Sequence, residues 1–311
     1  MEFYDFPSSY DCGRRQGFTG LPQEFFRYAK RELRRQKMAN QQWGVELDRF
    51  RAEEAWLRLG CPYFKVWPGV IPLLANVGLD VPPTYLRLPF PAFVLRLPKD
   101  DSLLKIDESH QVRTIMVVDG ESEGSQRVVM LWLDVGECGP TNWPQLHWSR
   151  LICRANQTIE EAFDGKAMPN LPGISIPTNL NATCLRLAVS VGFLSTGLDR
   201  LIEPDVLSKD FAAYVAAKRS DDQDRIKSIE KRAVRRGKKG WNVGKGDRLR
   251  SLKSHSASDA ECSSCRGALT HQHQRRAHFR LLASGKVIFV RQATVRPDLP
   301  APAISPGYGL R

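Results

Sequence analysis

Apolar positions along the chain fall into two periodicities, and these define its elements. Over residues 22–39, Phe25, Ala29 and Leu33 recur at four-residue spacing, and Pro22 suits a first turn, so the segment is predicted to be a helix. A second helix follows through Trp43, Leu47, Phe50 and Leu57, ending at Gly60 with Pro62 beyond, so the pair is expected to form a helical hairpin. The outer face of the first helix carries Arg27, Lys30, Arg31, Arg34 and Lys37, a pattern that usually marks a solvated face, with nucleic-acid contact the alternative.

The pattern then turns to strands. Ala92–Leu97, Arg113–Asp119 and Arg127–Val135 are Val-, Ile- and Leu-rich runs separated by Pro, Asp, Gly and Ser clusters, and Trp148–Arg154 adds a further strand. Residues 119–126 make the second and third of these a hairpin. Thr158-Ile-Glu-Glu161 reads as a capping box, in which the Thr hydroxyl and the Glu carboxylate satisfy orphan amide donors of a short helix. Pro177–Leu198 reads as a mostly buried helix. Beyond Ser220 come a basic helix near Asp222–Arg236, a glycine-rich turn over 237–246, and a serine-rich loop over 251–264. Last come a strand at Arg275–Leu282, a Gly-containing turn and a strand at Val287–Val295.

The expected fold class is α+β: an N-terminal helical hairpin, a central antiparallel sheet with packed helices, and a basic C-terminal module ending in a β-hairpin. The expected divisions are a helical and sheet body over 1–205, the basic module over 206–297 and a proline-rich extended tail over 298–311.

Composition adds a charge layout. The 311 residues hold 46 Lys+Arg and 34 Asp+Glu, a net charge of +12. Residues 225–280 contain sixteen of the basic and four of the acidic side chains, so the whole excess lies in that stretch and the rest of the chain balances to zero. Such a block is the footprint of phosphate-backbone binding, because each neutralised phosphate releases counterions. A solvated basic linker or an acidic protein partner are the alternatives. Uncharged runs fall short of the roughly 20 apolar residues that span a bilayer, and Met1-Glu-Phe-Tyr-Asp5 lacks the plan of a signal peptide, so a cytoplasmic protein with no membrane contact is expected.

Candidate chemistry clusters in the same stretch. On a strand over Arg275–Leu282, Arg276, His278 and Arg280 share one face, with Ala277, Phe279 and Leu281 on the other. Guanidinium forks match phosphate oxygens, and an imidazole can donate to phosphate or move a proton. Arg275 and Arg291 extend the patch. Arg235, Arg236, Lys238 and Lys239 supply further cations, and Trp241 either stacks a base or anchors its loop to the core. The leading expectation is a nucleic-acid-binding protein, directed to RNA or single strands. The rival is a metal-independent ribonuclease, in which His278 and His273 share the proton transfers and Arg276 and Arg280 stabilise the phosphorane. A structural protein that binds an acidic partner is the third reading.

No cofactor is required by these readings. Cys262 and Cys265 with His271 and His273 have zinc-ligand types, but the two histidines are one residue apart, where structural sites usually space the second pair more widely. Gly237-Lys-Lys-Gly240 has the form of a G-x-x-G phosphate loop without the helix that should follow. Asp134-Val-Gly-Glu137 reads as turn chemistry rather than a metal site.

The string His273-Gln-Arg-Arg-Ala-His-Phe-Arg280, the run Ser284-Gly-Lys-Val-Ile-Phe-Val-Arg291, and Val295-Arg-Pro297 together resemble a C-terminal motif of proteins from bacteriophages, plasmids and other bacterial mobile elements. Val206-Leu-Ser-Lys-Asp210 and Arg235–Gly244 are similar to the same group, with Phe279 where Trp is more usual. The resemblance spans about 206–297 and implies a phage- or plasmid-linked role, such as a toxin or defence factor; it does not imply a reaction.

Overall fold

The computed structural model describes residues 2–35, 40–86, 88–120, 127–138, 144–154, 156–163, 176–196, 201–205 and 240–245. It also describes residues 213, 216–217, 220, 222–226 and 228–229 and the backbone of four short strands between 273 and 295. Helix α1 (Ser9–Arg15) opens on Ser8, whose hydroxyl accepts from the Asp11 amide at 3.0 Å. Helix α2 (Pro22–Arg35) packs against α3 (Asn40–Arg58) through Phe25, Phe26, Ala29, Leu33 and Phe50, all buried. This is the helical pair that the four-residue apolar spacing predicts.

The sheet contains seven strands. They are β1 (Tyr63–Val66), β2 (Ala92–Arg96), β3 (Thr114–Gly120), β4 (Arg127–Cys138), β5 (Pro144–Cys153), β6 (Ile202–Pro204) and β7 (Gly240–Val243), in the order β5-β4-β3-β2-β1-β7-β6. The run from β5 to β2 is antiparallel, as the period-two pattern leads one to expect. The sheet as a whole is mixed rather than antiparallel, because β1 pairs parallel with both β2 and β7. The crossover from β1 to β2 carries α4 (Ile71–Ala75).

Each face of the sheet has its own core. Phe64, Val66, Phe93, Leu95, Ile115, Val117, Leu131, Leu133 and Val243 face α4 and α6 (Thr178–Thr196), whose buried positions run almost all round the helix. Tyr63, Val94, Met116, Trp132 and Trp148 face the other way, with Trp56 and Ala52 of α3 and Phe6 of the N-terminal segment. The capping box forms as its spacing predicts. Thr158 N donates to Glu161 Oε2 at 2.7 Å and Glu161 N donates to Thr158 Oγ1 at 3.2 Å, at the start of α5 (Ile159–Phe163).

Strand β7 comes from the segment assigned by sequence to the separate basic module, yet it lies inside the sheet of the body, between β1 and β6. The glycine-rich stretch therefore does not simply turn. Gly240 admits the Tyr63 ring, which a Cβ would meet, and Gly244 takes φ +71° where the strand ends.

Candidate nucleic-acid interface

Register places six polar residues directly opposite one another across six strands: Glu203, Asn242, Lys65, Arg96, Thr114 and Asp134. Facing positions on neighbouring strands project to the same side, so they form one row on the face opposite Phe64 and Val66. Asp205, just after β6, accepts from Lys65 Nζ at 2.7 Å and from the Tyr63 hydroxyl at 2.6 Å. Asn242 Oδ1 accepts from Trp67 Nε1 at 3.1 Å. The Arg96 guanidinium lies 3.9 Å from the Tyr63 ring centroid and pairs with Asp5 at 2.7 Å.

The electrostatics of the row are settled. Partial burial opposes ionisation of Asp205, but Lys65, Tyr63 and Asn242 outweigh it and hold the carboxyl below its ordinary range. Burial and the neighbouring Asp205 carboxylate push the Tyr63 phenol well above its ordinary value. At neutral pH the acid stays ionised and the phenol stays protonated, so this pair has no proton to exchange. Asp134, at the far end, is buried and shifted upward by that burial. It accepts from Gly136 N at 2.9 Å, with Gly136 at φ +87°, and from the Thr114 hydroxyl at 3.3 Å. That is the turn chemistry read from Asp134-Val-Gly-Glu137. The row joins strands and the N-terminal segment; it does not assemble a reactive group.

Several cations of the body are matched in the same way. Lys30 and Arg58 both reach Glu54, at 3.0 and 2.8 Å, Lys99 reaches Glu2 at 2.5 Å, and Arg49 reaches Glu46 at 2.7 Å. Arg186 grips Glu160 with two nitrogens, and Lys245 stands 3.8 Å from Glu203 and over the Trp67 ring.

No family model matches the chain, and no curated protein matches it. A solved structure, AcrVA2, is similar over 80% of this chain and 76% of its own, at 15% identity and a TM-score of 0.38.

Among the binding, catalytic and metal-ligand candidates that sequence reasoning placed beyond residue 205, Trp241 is the one whose side chain is described. It lies in β7, stacked on Phe64 at a centroid distance of 5.1 Å and an interplanar angle of 22°, with Phe90 at 5.3 Å. One ring face is thus occupied by the core, the anchoring role that its sequence context also allowed. Gly240 opens a strand, so the G-x-x-G segment does not lead into a helix.

The backbone ladders at the C-terminal end carry the remaining positions. Strand β8 (His273–Arg275) pairs antiparallel with β11 (Ala293–Val295), and β9 (His278–Leu281) with β10 (Val287–Val290). By the pleat, positions 278 and 280 fall on one face of their ladder with Val290 and Ile288 opposite them. Phe279 and Leu281 share the other face with Phe289 and Val287. Residues Arg235, Arg236, Lys238, Lys239, Arg276 and Arg291, together with Cys262, Cys265 and His271, lie outside the described residues. Among the described residues no group of three His, Cys, Asp or Glu side chains could hold a metal, and no helix is long and apolar enough to cross a membrane.

Proposed function

We propose that the protein binds nucleic acid, RNA or single strands, through the basic stretch at residues 225–280. The observation that carries this reading is the segregation of charge. The entire excess of +12 falls in those fifty-six residues, and the remainder of the chain carries equal numbers of basic and acidic side chains. A polyanion is the ligand class that such a net-positive block attracts, and the register places positions 278 and 280 on one face of their ladder. The likeness of 206–297 to mobile-element proteins is in keeping with a ligand of this kind.

The test is binding of a labelled single-stranded RNA across a salt series, with a denaturing gel of the same samples. Intact RNA and a steep loss of affinity with salt are expected. Replacing Lys238, Lys239, Arg276 and Arg280 with alanine should lower the slope of log affinity against log salt by about 3, since each single-strand phosphate that is no longer neutralised takes about 0.7 from it. No binding at low salt would overturn the reading in favour of an acidic protein partner. Shortened RNA that stays intact with His278→Ala would replace it with the ribonuclease.

A further inference from the structure

Among the body's unpaired cations, three arginines stand together on one helix. On α2, Phe25, Phe26, Ala29 and Leu33 are buried against α3, which fixes the opposite side of the helix toward solvent. Lys30 folds across to Glu54 and Arg35 leans back to Glu32 at 3.4 Å. Arg27, Arg31 and Arg34 are exposed, and none has a carboxylate within ion-pair distance among the described residues. At about 100° per residue these three guanidiniums fall within an arc of about 60° and rise over about 10 Å of helix. Tyr28 is 47% exposed and lies about 60° round the helix from Arg31.

We infer that this outer face of α2, with Arg27, Arg31 and Arg34 as cations and Tyr28 as a stacking ring, is a second nucleic-acid contact, separate from the basic stretch. Charge complementarity names the occupant. A row of guanidiniums one helical turn apart presents forks to successive phosphates, and an exposed aromatic to one side of them offers a platform for a base. The α2 contact shares its ligand class with the function proposed for the basic stretch but rests on different residues, so the two fail separately.

The experiment uses the full chain and the labelled single-stranded RNA over the salt series. It compares the wild type, the triple variant Arg27→Gln/Arg31→Gln/Arg34→Gln, its charge-preserving counterpart with lysine at the three positions, and the quadruple alanine variant of the basic stretch. Removing three phosphate-binding cations should lower the salt slope by about 2, which makes the wild-type advantage over the glutamine variant shrink roughly 20-fold between 50 and 200 mM salt. The lysine variant should keep the slope, and both α2 variants should melt with the wild type, since Arg27, Arg31 and Arg34 are exposed. A glutamine variant with wild-type slope, beside a quadruple variant whose slope falls, overturns the α2 contact and leaves the basic stretch standing. The reverse pattern supports α2 and overturns the basic stretch. A wild type that binds no RNA at low salt overturns both.

Discussion

Glu53 offers a quantitative test of how the N-terminal helix is held. It sits on α3 with no exposed surface, and its two oxygens accept from Ser9 N at 2.7 Å and Ser9 Oγ at 2.9 Å, so it docks the first turn of α1. Burial raises its pKa from 4.5 to about 6, against the lowering effects of Arg49 and of the two Ser9 donors and a further rise from Glu46. The folded protein therefore binds this proton more tightly than the unfolded chain does. Stability linked to Glu53 is greatest at low pH and falls as pH rises from the unfolded value through the folded one. A rise from 4.5 to about 6 amounts to about 2 kcal/mol over the whole range, of which about 1 kcal/mol lies between pH 5 and 7.5.

Glu53→Gln keeps the shape and one acceptor for Ser9 but removes the titration. Urea unfolding of both proteins at pH 5 and 7.5 gives two stability gaps. The wild type should gain about 1 kcal/mol on the variant as the pH falls from 7.5 to 5, whatever the size of the gap at either pH. A gap that does not change with pH, or that changes in favour of the glutamine variant at pH 5, would show that Glu53 is not the protonating group and that its burial is not what governs it.

Three further outcomes follow from the sheet. Asp205→Ala should cost about 2–3 kcal/mol, because Lys65 and Tyr63 lose their shared acceptor, and it should bring the Tyr63 phenol down toward its ordinary range; an alkaline absorbance titration checks the second point. Gly240→Ala should destabilise by about 1–3 kcal/mol in chemical unfolding, since the added methyl meets the Tyr63 ring on the neighbouring strand. Trp241→Ala should lower stability by about 3 kcal/mol through its packing on Phe64 and Phe90; a drop in RNA affinity with unchanged stability would instead make Trp241 a base-stacking residue.

Much of the fold was legible because it is written locally. The α2 and α3 apolar spacing, the strands β2 to β5 and the Thr158–Glu161 box each depend on residues close in sequence. What escaped was decided by distant pairing. Tyr63–Val66 is four residues long between glycine and proline signals, and Gly240–Val243 lies among glycines that suggest a turn. Each is a strand because the other supplies its ladder, in parallel register from Tyr63↔Gly240 to Val66↔Val243. Helix α1 was hidden by its short length and by Gly13, whose lack of a side chain lets the Phe25 ring lie against it. The polar row from Glu203 to Asp134 has no trace in linear order, since it exists only once the register is set.

Charge is where sequence and structure add most to each other. A count finds the block at 225–280 but treats every cation in the remaining balanced chain alike. Geometry divides those: Lys65 is held by Asp205 and Lys30 by Glu54, whereas Arg27, Arg31 and Arg34 have no such partner among the described residues. Counterion release requires a cation that is not already matched by a carboxylate, so matched residues contribute little to the salt slope however basic their element. The salt dependence should therefore scale with the unmatched cations alone. Replacing Lys65, which Asp205 already neutralises, should leave the slope unchanged even where it weakens the fold. A slope that fell as far for Lys65→Gln as for Arg31→Gln would refute the division between matched and unmatched charge, and with it the argument for the α2 contact.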